Sequence, residues 1–311
     1  MNVRETCELT AVRVALARLL VATPEPIALP KPTVRDGILA GIQRAVRTVM
    51  WGVHLRDRSL IAAFYGMRVV LKLFQPGHRI DVGMYPQFWL GDLQIRTPIG
   101  RFMCRGGTSD FDIVNPNHEK LVVQEIRNCL GKIPARSAVA IDIGAHIGKY
   151  SILSGRILRN EGTVVSVEPD PANFALLTRN LTLNGLQNVR GLNLGCWSSD
   201  GQRVLHQQVG DMGGHSFVDA TRGDSILVPV RTLDGILDDH GIDHVDILKM
   251  DVQRAEAEVL RGARKSLESS TDATVFFEET GDPRTAESIR ILHELGFAVR
   301  RLEDINYVAQ R

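Results

Sequence analysis

Residues 139–151 have the sequence VAIDIGAHIGKYS, in which a short apolar run is followed by a turn with two glycines. The apolar run predicts a buried strand over 138–143, and the residues after the turn predict a helix from near Gly148 to Arg159. Glycines let the backbone approach a ligand closely, and the start of a helix presents free N–H groups. This strand–turn–helix unit therefore predicts a nucleotide or nucleoside site at the end of the strand.

Short apolar runs alternate with helical stretches through the rest of the chain. Further strands are predicted over 163–167, 189–194, 245–250, 273–277 and 297–302, with a last one near 307–308. The stretch 200–231 is less regular, and Asn115-Pro116 predicts a helix start ahead of the first strand. Strands that alternate with helices form a parallel sheet with helices on both faces, so the predicted fold class is α/β. Ligands of such sheets bind beyond the carboxyl ends of the strands.

Two phosphate-binding patterns fit the glycine turn poorly. A P-loop needs four residues between its glycines and then Lys-Ser/Thr, but only three residues separate Gly144 from Gly148, and Lys-Tyr follows. A dinucleotide fingerprint needs a glycine where this chain has His146, and Asp142 would place a carboxylate beside the phosphates. The turn is therefore not typical of a phosphate site.

A cationic nucleoside fits the same residues better. S-adenosylmethionine carries a sulfonium and an ammonium group and no phosphate, so the carboxylate of Asp142 would attract it. Glu168 and Pro169 end the second predicted strand, where an acidic side chain can accept hydrogen bonds from ribose hydroxyls. Asp142 alone could equally be a helix-capping acid, but its combination with the glycine turn and Glu168 favours the cofactor.

Four stretches carry a family resemblance, and they occur in the family's order. They are 139–151 (VAIDIGAHIGKYS), 164–184 (VVSVEPDPANFALLTRNLTLN), 231–237 (RTLDGIL) and 246–263 (DILKMDVQRAEAEVLRGA). Over about residues 91–303 the chain resembles the FkbM family of S-adenosylmethionine-dependent methyltransferases. The resemblance implies a seven-stranded class I, Rossmann-like methyltransferase sheet. It also implies O-methylation of a hydroxyl on a sugar, glycolipid or natural-product acceptor.

The strand ends and the resemblance together define the expected cofactor site. Its residues are Asp142, Gly144, Ala145, Gly148, Glu168, Pro169, Cys196 and Trp197. The last two follow the third strand, where the methyltransferase fold usually meets the adenine ring. Trp197 could equally be a partly buried core residue. No metal ligands are expected.

The reaction also needs a group that accepts the proton of the acceptor hydroxyl. A carboxylate or a histidine within hydrogen-bond reach of that hydroxyl would serve. Asp251, after the fourth strand, is the first candidate, and Glu256, His146 and Glu279 come next. Asp251 could instead be held by backbone N–H groups at a helix start, and His146 could be a hydrogen-bonded loop residue.

The chain departs from the family at Gln253-Arg254, where family members usually have Glu-Gly. A lost glycine could alter the turn, and a lost carboxylate could remove a base or a metal ligand. Two other functions therefore stay open: a methyltransferase-like protein that binds the cofactor or a partner without catalysis, and a nicotinamide-dependent oxidoreductase. The polar, glycine-rich stretch 206–224 is predicted to cover the acceptor.

Composition limits the other classes. The chain has 311 residues, is 44% hydrophobic, and carries 37 Lys and Arg against 36 Asp and Glu, a balance that argues against a nucleic-acid partner. Its four cysteines lie far apart, which predicts neither a disulfide framework nor a zinc site and favours a reducing compartment. No run is apolar enough for a membrane span or a secretory signal, so we expect a cytoplasmic protein.

The N-terminal part has a different character. Residues 1–90 are predicted to be a basic, mostly helical extension, and 91–311 the FkbM-like methyltransferase domain, with its cofactor half from about residue 137. Residues 35–79 carry eight Lys and Arg against two Asp, and apolar residues recur at helical spacing. This segment predicts either peripheral contact with the inner face of an anionic membrane or packing of its apolar stripe on the main domain.

Overall fold

The computed structural model describes residues 43, 45–74, 91–208, 213–219 and 223–311. Its helices are α1 (Leu55–Phe74), α2 (Asp110–Ile113), α3 (Lys120–Leu130), α4 (Lys149–Ile157), α5 (Pro171–Leu183), α6 (Leu233–Asp239), α7 (Glu256–Arg261), α8 (Arg264–Ser269) and α9 (Pro283–Glu294). Its strands are β1 (Leu93–Arg96), β2 (Arg101–Cys104), β3 (Val139–Ile143), β4 (Thr163–Val167), β5 (Val189–Leu192), β6 (Gly195–Cys196), β7 (Gly201–His206), β8 (Ser225–Arg231), β9 (Ile247–Met250), β10 (Thr274–Glu278), β11 (Ala298–Glu303) and β12 (Asn306–Gln310).

Seven of the strands form the central sheet, in the order β11-β12-β10-β9-β3-β4-β5. Strands β10, β9, β3, β4 and β5 are parallel, and β12 pairs antiparallel with both of its neighbours. The chain builds outward from β3 to β5 on one side and returns to β9 on the other. The winding therefore reverses between β3 and β9, and this is where such sheets bind ligands. The expected seven-stranded α/β sheet is confirmed.

Apolar residues cover both faces of this sheet because successive strand residues point to opposite sides. On β3, Ala140 belongs to the core on one face, with α4 and α1, whereas Ile141 and Ile143 belong to the core on the other, with α6 and α9. Helices cover both faces of the sheet and exclude water from it. The carboxyl ends of the strands therefore form its accessible edge.

Two local predictions were wrong. The helix predicted from Asn115-Pro116 begins only at Lys120, because Asn115 accepts bonds from the N–H groups of Asn117 and His118 in a turn, and the left-handed Glu119 then interrupts it. The irregular stretch 200–231 contains β7 and β8, which form a small separate sheet with β6. The first four residues of β7 are exposed, so this strand has no apolar run that a sequence pattern could show.

The described residues from 45 onward form one compact unit. Ile61 and Phe64 of α1 are buried in the same core as β1 and β2, so the apolar stripe of this helix packs on the main body. Residues 1–42 and 75–90 lie outside the described residues, and a domain boundary at residue 90 stays a prediction. None of the helices in the described ranges is long and apolar enough to span a membrane.

Candidate functional site

The glycine turn and the segment after β9 touch each other at the point where the winding reverses. Gly144 has a left-handed backbone (φ +77°), and a Cβ there would lie 1.9 Å from the carbonyl oxygen of Asp251. The N–H of Asp251 donates to the carbonyl of Ile143 (3.0 Å). Only glycine fits this crossing, because any side chain would push the two strand ends apart. Gly148 (φ +97°) then closes the turn where α4 begins.

Asp142 lies inside this crossing and not at the surface. Its carboxylate accepts a hydrogen bond from the hydroxyl of Ser151 in α4, and Ser151 in turn accepts one from Ser166 (2.8 Å). Burial raises the pKa of Asp142 to about 6, against the opposing effect of the Ser151 bond. Asp142 therefore stabilises the turn through its hydrogen bond to α4.

Glu168 ties the turn to the next helix. One carboxylate oxygen accepts from the N–H of His146 (2.8 Å), and the other accepts from the N–H of Asp170 (3.0 Å) and from Asn173 (3.4 Å). Burial raises the pKa of Glu168 to about 7 in spite of these bonds. An ionised carboxylate has about four acceptor positions, so this one retains capacity for a ligand hydroxyl. Pro169 follows, and Asn193 bonds to its carbonyl (3.1 Å).

A buried lysine lies beneath the two central strand ends. Lys249 is fully buried, and its ammonium group donates to the carbonyl of Met250 (3.2 Å). Burial alone would lower the pKa of Lys249, but the carboxylates of Asp251, Glu119 and Glu278 together raise it. The lysine therefore stays charged and places a positive charge beneath the carboxylates of the site.

Glu119 brings a second lysine into this buried group. The Glu119 carboxylate accepts from Lys149 (3.3 Å) and from the Tyr150 hydroxyl (2.6 Å). Burial opposes ionisation of Glu119, yet Lys249, His118 and Lys149 lower its pKa. The donors of Lys149 are thus engaged within the protein, by Glu119 and by the carbonyl of His118 (2.8 Å).

A cleft of about 480 Å³ opens at the segment that follows Asp251. The residues that matter for its chemistry are Gln253, Arg254, Glu256, Glu278, Thr280 and Asp282. Burial raises the pKa of Glu256 to about 7, against the opposing effect of the backbone N–H groups of Val252, Arg254 and Glu256 itself. Burial, aided by the charge of Asp251, raises the pKa of Glu278 to about 8. The cleft thus holds two carboxyl groups whose pKa values lie near neutral pH.

Asp251 connects the cleft to the turn. Its backbone touches Gly144, and its carboxylate accepts a hydrogen bond from Gln253 (2.9 Å), which lines the cleft. Of the predicted proton acceptors, Asp251 and Glu256 are therefore close to the cleft. Glu279 is not among the cleft residues, and its carboxylate bonds the N–H of Gly281 (2.7 Å). His146 is not among the cleft residues, and its Nε2 lies 3.4 Å from Asp110.

The remaining predicted residues lie farther from the cleft. Ala145 is buried within the turn. Cys196 is buried in the apolar core, which raises the pKa of its thiol to about 12. Trp197 is partly buried, packs edge-on against Phe217 of the cover segment (5.8 Å between ring centres) and lies under Arg203. The contacts of Cys196 and Trp197 with a cofactor stay predictions.

Sequence reasoning missed Glu278 and Arg105. Glu278 is the last residue of β10. It has the same strand-end position that predicts a role for Glu168, but the residue predicted from the sequence is the neighbouring Glu279. Arg105 follows β2, and nothing in its spacing to the turn predicts that its guanidinium reaches His146 (3.4 Å).

The strand order, the glycine turn at the reversal and the acid at the end of the adjacent strand define a class I, Rossmann-like nucleoside-binding protein. Residues 142–299, just over half of the chain, match the methyltransferase FkbM domain. The chain belongs to the FkbM family of S-adenosylmethionine-dependent methyltransferases.

Comparison with known proteins gives several relatives. Methyltransferase sdnD of Sordaria araneosa is 29% identical over an alignment that covers 39% of this chain and 59% of the relative. Methyltransferase 1 of Beauveria bassiana is 26% identical, with 62% and 88% covered. A methyltransferase FkbM structure from Methylobacillus flagellatus is similar at 14% identity and a TM-score of 0.43, with 88% of this chain and 60% of that chain covered. The chain thus spans less than two thirds of the sdnD relative.

Proposed function

We propose that this protein transfers a methyl group from S-adenosylmethionine to a hydroxyl of a sugar, glycolipid or other natural-product acceptor. The observation that carries the proposal is the cleft at the segment after β9, which is lined by two carboxyl groups with raised pKa values, Glu256 and Glu278. A hydroxyl acceptor needs a base of this kind, whose pKa lies near the working pH.

The residues present fit the cofactor. Gly144 and Gly148 give the turn its left-handed, tightly packed backbone, and Glu168 offers acceptor positions for ribose hydroxyls at the adjacent strand end. Acidic groups around the turn suit a ligand with a sulfonium and an ammonium group better than a phosphate. When bound, S-adenosylmethionine supplies the electrophilic methyl group.

Methyl transfer is an in-line displacement, so the protein must hold the acceptor oxygen in line and keep water out. In this proposal Asp251 accepts the acceptor proton, because its backbone contacts Gly144 and its carboxylate bonds Gln253 of the cleft. Glu278 and Glu256 can accept it next, since about half of each group is ionised at pH 8 and pH 7 respectively. Lys249 favours the ionised form of Glu278.

The same segment that contacts the core through Ile61 also presents apolar residues to solvent. Val46, Met50 and Leu55 are 58%, 58% and 79% exposed, and exposed arginines such as Arg56 lie beside them. Apolar side chains among arginines suit an anionic lipid surface. We infer peripheral membrane contact here, which a Met50→Asp/Leu55→Asp variant should weaken in sedimentation with anionic vesicles. Equal sedimentation of the variant would refute the contact.

Methylation itself can be tested on extracts. The protein and labelled S-adenosylmethionine are incubated with lipid and glycan extracts, and products are examined by mass spectrometry for one added methylene. We expect a labelled product that Asp251→Asn forms far more slowly at unchanged cofactor affinity. Cofactor binding with no product in any extract would favour the non-catalytic alternative.

A further inference from the structure

Arg105 has an unusual set of partners beside the glycine turn. Its Nε and Nη2 atoms donate to the two carboxylate oxygens of the fully buried Asp110 (2.8 and 2.9 Å), and Nη2 also donates to Asn173 (2.8 Å). Its Nη1 atom is buried and has no hydrogen-bond partner in the described part of the chain. A buried N–H group without a partner is costly, by about 1–3 kcal/mol or more when charged, and asks for an explanation.

Pairing with Asp110 does not explain the unused nitrogen. The ion pair already uses the fork formed by Nε and Nη2 and leaves Nη1 pointing elsewhere. A guanidinium has five N–H groups in a fixed plane, so it can hold one carboxylate on one side and a second anion on the other. The arrangement is that of an arginine oriented by Asp110 for another anion.

The position of Arg105 indicates which anion its free nitrogen would bind. Its Nη2 lies 3.4 Å from Nε2 of His146 in the turn, and its partner Asn173 also reaches Glu168. The arginine thus lies along the edge of the turn that Glu168 and His146 form. The other buried cations nearby are engaged: Lys149 by Glu119 and His118, and Lys249 by the carbonyl of Met250.

S-adenosylmethionine has a single anionic group, the carboxylate of its methionyl part. We propose that Nη1 of Arg105 binds this carboxylate and that Asp110 and Asn173 hold the guanidinium in place for it. The inference rests on the proposed function, since it assigns a further residue to the same cofactor. The unpartnered nitrogen is the observation that points to Arg105.

The test compares two ligands that differ only in the carboxylate. Binding of S-adenosylhomocysteine and of its decarboxylated analogue is measured by calorimetry on the full chain, for the wild type and for Arg105→Met. We expect Arg105→Met to weaken S-adenosylhomocysteine at least tenfold and the decarboxylated analogue less than twofold. Arg101→Met, at an exposed arginine of the same hairpin, is the matched control and should leave both affinities unchanged.

The outcomes separate the inference from the proposed function. Equal loss for both ligands would show that Arg105 only supports the fold, and unchanged affinity for S-adenosylhomocysteine would show that it makes no contact; either overturns the inference. Arg105→Lys, which keeps a charge beside Asp110, serves if Arg105→Met does not fold, and it should also weaken only the carboxylate ligand. A wild type that binds neither ligand would overturn the proposed function itself.

Discussion

Glu168 holds the turn in shape, and in the proposed function it also binds the cofactor. Its three internal donors fix the shape of the turn, while its burial keeps its pKa near 7. A carboxyl group with such a pKa is half protonated at neutral pH, and a proton occupies one of the positions that a ribose hydroxyl would use. Cofactor affinity is therefore linked to the ionisation of this residue.

Glu168→Gln should weaken S-adenosylhomocysteine by about tenfold at pH 8, because the amide offers fewer acceptor positions. The wild type should also bind more weakly as the pH falls from 8 to 6, since the ionised form is lost through the pKa of about 7. Calorimetry at both pH values measures this, with the exposed Glu161→Gln as control. A wild-type affinity that is the same at both values would contradict the linkage.

At the scale of elements, the turn after β9 holds residues 213–219, which belong to the stretch 206–224 predicted to cover the acceptor. Gln253 and Arg254 both have left-handed backbones (φ 50° and 74°), a conformation that residues other than glycine rarely adopt. The Gln253 carbonyl accepts a bond from Ser216 (3.2 Å), and Arg254 pairs with Asp219 (2.8 Å) and Asp282 (3.5 Å). The departure from the family's Glu-Gly therefore keeps the glycine-like backbone and adds a guanidinium that fastens the cover.

Arg254→Asn should loosen the cover without unfolding the protein. Asparagine tolerates the left-handed backbone, so only the ion pairs are lost, and partly exposed pairs contribute about 1 kcal/mol or less. Hydrogen exchange of 213–219 should become faster, while the free energy of unfolding changes by less than about 1 kcal/mol. Arg254→Lys, which retains the charge, should exchange more like the wild type. Unchanged exchange in Arg254→Asn would show that Arg254 does not fasten this segment.

The sequence predicts those parts of the site that lie within one strand–turn–helix unit. The turn at Gly144 and the acid at Glu168 follow from local spacing. Glu278 joins the site only because β10 pairs with β9 in a register that aligns Phe276 with Lys249, and no sequence pattern fixes that register. Arg105 reaches the turn through the packing of the β1–β2 hairpin on α5, which is likewise a long-range contact.

For the whole molecule, the buried carboxyl groups link stability to pH. Burial raises the pKa values of Asp142, Glu168, Glu256 and Glu278 to between about 6 and 8, well above their ordinary values. The folded state therefore binds protons that the unfolded chain has already lost at pH 6. Stability from these groups is present at low pH and is lost as the pH rises through 7 to 8.

The free energy of unfolding of the ligand-free protein should accordingly fall by on the order of 2 kcal/mol between pH 6 and pH 8. Urea unfolding followed by circular dichroism measures it. The double variant Glu168→Gln/Glu256→Gln has no proton to lose at these positions and should reduce the dependence by about half, because Glu278 and Asp142 remain. A wild type that is more stable at pH 8 than at pH 6 would be at odds with protonated, buried carboxyl groups.

The most direct measurement is calorimetric titration of the wild type with S-adenosylmethionine and, separately, with NAD. Because acidic side chains surround a glycine turn without a phosphate-binding pattern, we predict saturable binding of S-adenosylmethionine and no measurable heat with NAD. Tight binding of NAD together with no binding of S-adenosylmethionine would contradict the account.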